Sequence, residues 1–215
     1  MSRITDAVEA VSNAIISQRD YLTDLDREIG DGDHGINMAR GFTAVKETIE
    51  AMDDDKDPKK ILDAIGETLI MNVGGAAGPL FGSAFKKAAE ACESDTTLTI
   101  TNIERLLTAA IEDVKRRGRA GRNDKTILDA LIPIHDAFLP ENARNKRLFE
   151  VLQDGLRAGR EGVKHTKDIV ARKGRAQLIG ERSIGHEDPG AMSILVLYRA
   201  FYQFLKGNHI AHPRF

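Results

Sequence analysis

A short acidic, glycine-rich segment carries the residues best suited to chemistry. It runs Leu25-Asp-Arg-Glu-Ile-Gly-Asp-Gly-Asp-His-Gly-Ile-Asn37. Asp31 and Asp33 lie two positions apart in a glycine-rich turn, so both carboxylates can point at one ion, and Asp26 can supply a third ligand. Magnesium prefers oxygen ligands and commonly binds carboxylates together with substrate phosphates. The spacing therefore favours a magnesium–phosphate site, although an acidic turn between two helices remains the alternative, since Asp and Gly are ordinary turn residues.

Two better-known motifs are excluded in this segment. Gly30, Gly32 and Gly35 spell G-x-G-x-x-G, but a dinucleotide-binding fingerprint needs a strand before it. Residues 21–27 are not strand-like. An EF-hand loop that begins at the first aspartate of the turn would need glutamate where Phe42 stands, so a calcium loop is rejected as well.

A second glycine-rich segment, Gly74-Gly-Ala-Ala-Gly-Pro-Leu-Phe-Gly82, has two interpretations. Glycines at positions 74, 78 and 82 would share one helix face and allow close helix packing. Alternatively, the segment forms a helix N-terminus whose unpaired N–H groups bind a nucleotide. Composition alone does not decide between them.

Further basic and glycine-rich residues lie in the second half of the chain. Gly174-Arg-Ala176 and the segment 180–190 belong to a long stretch, 171–187, that we predict as a functional loop. An arginine among glycines suits phosphate, because guanidinium offers paired hydrogen bonds to oxyanions. A solvated basic loop is the alternative, and the basic run from Lys115 to Arg122 is typical of a helix end.

The elements that position these segments are predicted to be helices. Apolar residues recur at helical spacing almost throughout, as in Ile103, Leu107 and Ala110. Thr101 with a glutamate three residues later predicts a capping box. Asp188 followed by proline predicts the start of the last helix. The pattern indicates an all-α fold of about eight helices.

Length and composition set the remaining limits. The 215 residues suggest one domain, which we place at 1–207, followed by a C-terminal tail at 208–215. A net charge of −2 argues against general binding to nucleic acid or to a membrane surface. The single Cys92 fits a reducing cytoplasm. The sequence has no apolar run long enough to span a bilayer and no signal-peptide pattern, so we expect a cytoplasmic protein.

Together these segments resemble the nucleotide-binding L subunit of bacterial dihydroxyacetone kinase, the DhaL family. The acidic segment, the glycine-rich segment, Asp124-Lys-Thr126 and the two segments around Arg175 and Gly185 occur in the family's order and span nearly the whole chain. The resemblance implies an antiparallel barrel of eight amphipathic helices, with ADP and two magnesium ions at one end.

The resemblance also implies roles for individual residues. Asp26, Asp31 and Asp33 would hold the metals, and Arg175 would neutralise charge on the transferring phosphoryl oxygens. The implied nucleotide site consists of His34, Gly35, Ile36, Asn37, Ala76, Ala77, Gly118, Ile127, Arg175, Asp188, Pro189 and Gly190.

The implied activity needs partner subunits. In the family, bound ADP is rephosphorylated to ATP by a phosphohistidine on an M subunit, and the phosphoryl group passes to dihydroxyacetone held by a K subunit. Sugar activation belongs to the K subunit, so no general base is expected in this chain. A kinase subunit for another ketose, such as erythrulose, and a nucleotide-state sensor acting on a transcription regulator are the alternatives. The oligomeric state, including a homodimer, stays open.

Two departures from the family pattern concern the nucleotide site. Ala77 stands where family members often have serine, which removes a hydroxyl contact. Arg122-Asn123 replaces a frequent Pro-Gly, and we expect it to add a positive charge near the nucleotide.

Overall fold

A computed structural model describes residues 3–52, 57–93 and 97–207. Within these ranges the chain forms ten α-helices and two 3₁₀ segments, Thr166–Asp168 and Arg175–Ser183. The predicted all-α class is confirmed, whereas the predicted tail at 208–215 lies outside the described residues. The α-helices are α1 (Arg3–Ser17), α2 (Arg19–Ile29), α3 (His34–Glu50), α4 (Pro58–Asn72), α5 (Ala77–Ala91), α6 (Ile100–Gly118), α7 (Leu128–Asp136), α8 (Pro140–Ala143), α9 (Leu148–His165) and α10 (Pro189–Gly207).

Eight of the described helices pack side by side in a closed ring. From α3 the ring runs through α4, α5, α6, α7, α9 and α10 to α1, which packs against α3 again. The α2 helix contacts α3, α10 and the Arg175–Ser183 segment. A ring of eight helices agrees with the barrel that the resemblance implies.

The apolar stripes of the ring helices form its core. Phe42, Phe81 and Leu128 are at most 2% exposed, and each such side chain contributes about 1.5–3 kcal/mol on burial. The main cluster draws residues from seven of the eight ring helices. Together with residues of a second cluster it lines an apolar cavity of about 330 Å³. None of the helices in the described part of the chain is both long and apolar enough to cross a membrane.

The helix starts follow capping chemistry, with one correction. Thr99, not Thr101, is the N-cap of α6, since its backbone is extended and its side chain accepts a hydrogen bond from Asn102 N at 3.1 Å. The capping-box prediction was wrong because Thr101 already lies within the first turn. The predicted start at Asp188 is confirmed, because its Oδ2 accepts from Ala191 N at 2.7 Å.

Close packing between α4 and α5 explains part of the second glycine-rich segment. A Cβ on Gly82 would lie 2.5 Å from the carbonyl oxygen of Gly66, and one on Gly78 would lie 2.3 Å from that of Val73. Both clashes are with backbone atoms, so only glycine permits this approach. Gly74 does not share their helix face, because it precedes α5 in a turn.

Candidate functional site

The connections that precede α3, α5, α7 and α10 meet around a cavity of about 720 Å³. Residues far apart in the sequence therefore become neighbours. The lining includes thirteen of the residues that the sequence singled out: Asp26, Asp31, Asp33, His34, Asn37, Ala76, Ala77, Gly118, Ile127, Arg175, Asp188, Pro189 and Gly190.

Three carboxylates converge in the turn between α2 and α3. One oxygen from each of Asp26, Asp31 and Asp33 lies within 4.8 Å of the other two. At about 4 Å and an effective dielectric of 20, each pair of like charges costs about 4 kcal/mol. A bound cation reverses the sign of this energy, and a set of carboxylate oxygens suits magnesium. The residues present therefore fit a divalent ion.

The local backbone leaves the carboxylate of Asp33 uncommitted to the helix. Asp33 is the N-cap of α3 but makes no side-chain capping bond. Asp26 performs that task, because its Oδ2 accepts from the backbone nitrogens of Asp33 at 2.9 Å and His34 at 3.1 Å. A Cβ on Gly30 would lie 2.1 Å from Asp26 Oδ1, so this glycine preserves the space that the Asp26 carboxylate occupies.

His34 faces the cavity as a neutral ring. Its Nε2 lies 2.8 Å from Ser193 Oγ, which itself donates to the carbonyl oxygen of Pro189 at 3.0 Å. Because the serine proton is used, the ring donates from Nε2, and Nδ1 remains an acceptor. Burial lowers the pKa of His34 below its usual value, so the ring carries no charge at neutral pH.

Two predicted nucleotide residues lie elsewhere. Gly35 does not line the cavity, because it packs against α2, where a Cβ would lie 2.0 Å from the carbonyl oxygen of Arg19. Ile36 is 49% exposed and is not part of the cavity lining. The structure thus gives Gly35 a packing role and leaves Ile36 on the surface.

The turn before α5 and the first residue of that helix line the cavity. Gly75 has φ +66°, a conformation that favours glycine, and Ala76 and Ala77 line the cavity at the start of the helix. The first N–H groups of a helix have no partner within it and attract anions. The segment therefore packs closely at Gly78 and Gly82 and lines the cavity at its start, while binding of a nucleotide there stays a prediction.

An amide is held in place beside this turn, because a Cβ on Gly74 would lie 2.9 Å from Asn37 Oδ1. Arg40 donates from Nη2 to Asn37 Oδ1 at 2.8 Å and from Nε to the carbonyl oxygen of Asn72 at 2.8 Å. With its oxygen engaged, Asn37 offers N–H donors to the cavity that it lines.

Positive side chains complete the lining. Arg175 Nε lies 2.9 Å from Asp31 Oδ2, and Arg117 lines the cavity while donating to Asp113 Oδ2 at 2.6 Å. Burial alone would raise the pKa of Asp113, but hydrogen bonds from Ser83, Arg117 and Arg116 lower it. The carboxylate therefore stays charged and fixes Arg117.

Arg122 does not add its charge to the cavity. Its side chain pairs with Asp136 and is not part of the lining, so the expectation of a positive charge near the nucleotide was wrong. Asn123 has φ +68°, a backbone conformation that glycine adopts without strain, which explains how a family glycine and this asparagine serve the same turn.

Comparison with known proteins decides the family. The sequence model of the DAK2 domain family matches residues 28–203 of this chain. The chain belongs to the DAK2 domain family. It is 41% identical over 181 residues to the PEP-dependent dihydroxyacetone kinase, ADP-binding subunit DhaL, of Escherichia coli strain K12, a match that covers 84% of this chain and 86% of that protein. The PTS-dependent dihydroxyacetone kinase, ADP-binding subunit DhaL, of Lactococcus lactis strain IL1403 is 35% identical, over 85% and 86% of the two chains.

A solved structure shares the fold of this DAK2 domain. The dihydroxyacetone kinase of C. freundii, crystallised with AMP-PNP and Mg²⁺, aligns with a TM-score of 0.72 and 24% identity. The alignment covers 93% of this chain and 34% of that one. The resemblance inferred from the motifs is thus confirmed at the level of family and fold.

Sequence reasoning missed several residues that line the cavity of this DAK2 domain. Lys125 and Thr126 were quoted in a motif without a role, and Arg117 was assigned to a solvated helix end. Their contribution depends on how α6 and α7 meet, which spacing along the chain does not show. The lining residues that were not individually predicted as site residues are Ile29, Gly74, Gly75, Pro79, Leu80, Phe81, Val114, Arg117, Ala120, Lys125, Thr126, Lys173, Gly174 and Ala176.

Proposed function

We propose that this chain is the ADP/ATP- and magnesium-binding subunit of a dihydroxyacetone kinase. The observation that carries the proposal is the convergence of the carboxylates of Asp26, Asp31 and Asp33 with the N-terminus of α5 and Arg175 around one cavity. The 41% identity over 84% of the chain to a protein named as an ADP-binding subunit supports the same conclusion.

The cavity fits a nucleotide with its metals. Its volume of about 720 Å³ lies in the range of about 300–1,000 Å³ that small-molecule sites occupy. The three aspartates would hold the metals, and we propose two magnesium ions, because four positive charges offset both the carboxylates and an ADP that carries about three negative charges.

Each polar group has a distinct task in the proposal. The N–H groups at Ala76 and Ala77 and the amide of Asn37 bind phosphate oxygens, while neutral His34 offers Nδ1 as an acceptor and does not repel the metals. Arg175 stabilises the charge on the transferring phosphoryl group. Its exposed pairing with Asp31 contributes at most about 1 kcal/mol, so exchanging that partner for phosphate costs little.

The proposed reaction is a relay between partner proteins. When bound, the nucleotide supplies the acceptor and then the donor of one phosphoryl group, taken from a phosphohistidine on an M subunit and given to a ketose on a K subunit. This chain binds, aligns and shields the phosphates, and its cavity is filled by the nucleotide. We therefore assign the ketose, and its activation, to the K subunit.

The test follows the nucleotide by mass. The chain is purified with magnesium, and its bound nucleotide is analysed before and after addition of a phosphohistidine donor. We expect ADP to become ATP, and dihydroxyacetone to be phosphorylated only when a K subunit is added, with erythrulose compared as a second ketose. Robust turnover of ketose by the purified chain and ATP, without a second protein, would contradict the assignment of the ketose to a partner.

A pair of aspartate variants locates the effect. Asp31→Asn changes a cavity residue, whereas Asp24→Asn changes an exposed aspartate on α2 that pairs with Arg27. We expect only the first to lose copurifying nucleotide. Equal loss in both would show that the general negative charge of α2 and the turn after it, and not the converging carboxylates, governs binding.

A further inference from the structure

A buried lysine lies beneath the segment that brings Arg175 to the cavity. We call residues 166–188 the strap; it carries Lys173, Arg175 and Asp188 into the cavity lining. The proposed nucleotide function assigns no task to Lys125, although this residue is only 1% exposed.

The ammonium of Lys125 is surrounded by carbonyl oxygens of the strap. Nζ donates to the oxygens of Thr166 at 2.7 Å, Ser183 at 2.5 Å and His186 at 2.8 Å, and lies 3.3 Å from that of Ile169. None of these four acceptors is a carboxylate. The arrangement resembles the coordination of a monovalent cation by backbone oxygens, with the cation covalently attached to the chain.

The four carbonyls come from both ends of the strap. Thr166 and Ile169 lie near its start, whereas Ser183 and His186 lie near its end. The ends are also joined directly, since Asp188 N donates to Thr166 Oγ1 at 2.9 Å and Ser183 Oγ accepts from Ala171 N at 2.9 Å. One ammonium thus closes the strap into a loop, and Arg175 projects from the middle of that loop.

The loop that carries Lys125 is held by hydrogen bonds of its own. Lys125 has φ +60°, and the carboxylate of Asp129 accepts from the backbone nitrogens of Asn123 at 2.5 Å and Thr126 at 2.8 Å. Burial lowers the pKa of Lys125, while Asp188, Asp129 and Asp168 oppose that effect. The positive charge of Lys125 is therefore stabilised by the carbonyl dipoles around it and by more distant carboxylates.

We propose that Lys125 is a positioning residue whose ammonium acts as the built-in cation of the strap, and that it thereby sets Arg175 and Asp188 against the cavity. Without the ammonium, the carbonyl oxygens of Thr166, Ser183 and His186 lose their donor, two of them in buried contacts, which disfavours the closed strap. Measuring ADP affinity as a test of this proposal rests on the proposed function. Measuring how readily the strap opens does not depend on it.

The experiment compares Lys125→Ala with Lys164→Ala, a change at an exposed lysine on α9 just before the strap. Trypsin cleavage after Arg172, Lys173, Arg175 and Arg182 reports strap opening, circular dichroism reports the helices, and calorimetry reports the affinity for ADP with magnesium. For Lys125→Ala we expect unchanged helix content, faster cleavage within the strap, and ADP affinity reduced about tenfold or more. The control should match the wild type in all three.

Chemical rescue separates a cation cage from general packing. n-Propylammonium supplies the carbons and the N–H donors that Lys125→Ala lacks, so we expect it to slow strap cleavage and restore ADP affinity. Tetramethylammonium carries the same charge without N–H donors and should do neither. Rescue by both ions alike would overturn the proposed hydrogen-bonded cage.

The remaining outcomes are also decisive. Wild-type strap cleavage and ADP affinity in Lys125→Ala would overturn the proposal, and a variant that stays unfolded even with propylammonium would make Lys125 a residue of the general fold. If the wild-type chain does not bind ADP with magnesium, the proposed function fails. Strap cleavage and its rescue would still decide the role of Lys125.

Discussion

The two sides of the cavity handle charge in opposite ways. On one side the acidic turn, residues 26–34, brings three carboxylate oxygens within 4.8 Å of one another. On the other side the strap surrounds a single ammonium with four carbonyl oxygens. The first arrangement is unfavourable until a cation arrives, whereas the second is complete within the chain. A cluster of three carboxylates paired with one exposed cation, Arg175, indicates a ligand site. A buried ammonium surrounded by backbone acceptors indicates support for the site.

Arg175 links the two sides. It belongs to the strap, and its Nε pairs with Asp31 of the acidic turn at 2.9 Å. The pair is exposed, with 66% of the Arg175 side chain accessible, so it adds little to stability. Its position between metal ligands and strap fits a group that interacts with phosphate.

The largest effect should come from the acidic turn. Removing magnesium with a chelator should abolish tight ADP binding, because about three carboxylate charges then face about three on ADP at roughly 4 kcal/mol per close pair. Asp33→Asn should do the same for a different reason, because it removes one of the three carboxylates that would hold the metal. The helices should remain, since the turn adds little to the apolar core. Nucleotide retained after gel filtration, measured beside circular dichroism, checks both statements.

Retention of ADP without magnesium would contradict the contrast drawn between the acidic turn and the strap. If ADP stays bound after the metal is gone, the three aspartates are turn residues and their clustering has a structural cause. Asp24→Asn, which alters an exposed aspartate of α2, serves as the control for net charge.

Arg175→Ala should have the next largest effect. A charged hydrogen bond contributes about 1.5–3 kcal/mol, so phosphoryl transfer with the partner subunits should fall about tenfold to hundredfold. Thermal stability should barely change, because the pair with Asp31 is exposed. Arg182→Ala, an exposed arginine of the same segment, should leave the rate unaltered, and equal losses in both variants would argue against a specific role for Arg175.

The contrast also explains what the sequence could predict. The acidic turn is local, so the spacing of Asp31 and Asp33 was enough to suggest a metal, and helical periodicity was enough for the fold class. The cage around Lys125 joins residues about forty to sixty positions apart, and nothing near Lys125 in the sequence signals it. Gly35 shows that a motif can also mislead. The resemblance implied a nucleotide contact at this position, whereas the structure explains the glycine by close packing against the carbonyl oxygen of Arg19.

Glycines with positive φ offer a smaller test on both sides. Gly32 in the acidic turn has φ +72° and Gly180 in the strap has φ +55°. Alanine at either position should cost about 1–2 kcal/mol in the free energy of unfolding, because L-residues are strained there. Urea unfolding measures this cost, with Gly121→Ala as the control, since a Cβ at Gly121 meets no atom within 4 Å and its φ is not in the positive range. A similar loss in the control would show that backbone strain is not the cause.

The smallest effect belongs to the helix start that the acidic turn and the strap both face. Ala77 lines the cavity as the first residue of α5, and Ala77→Ser adds a hydroxyl there. A neutral hydrogen bond contributes about 0.5–1.5 kcal/mol, so calorimetry should show ADP bound about threefold to tenfold more tightly. Ala91→Ser, at the opposite end of α5, should change nothing. Unchanged or weaker binding in Ala77→Ser would mean that this side chain does not face the nucleotide, and that the contribution of α5 comes from its backbone N–H groups alone.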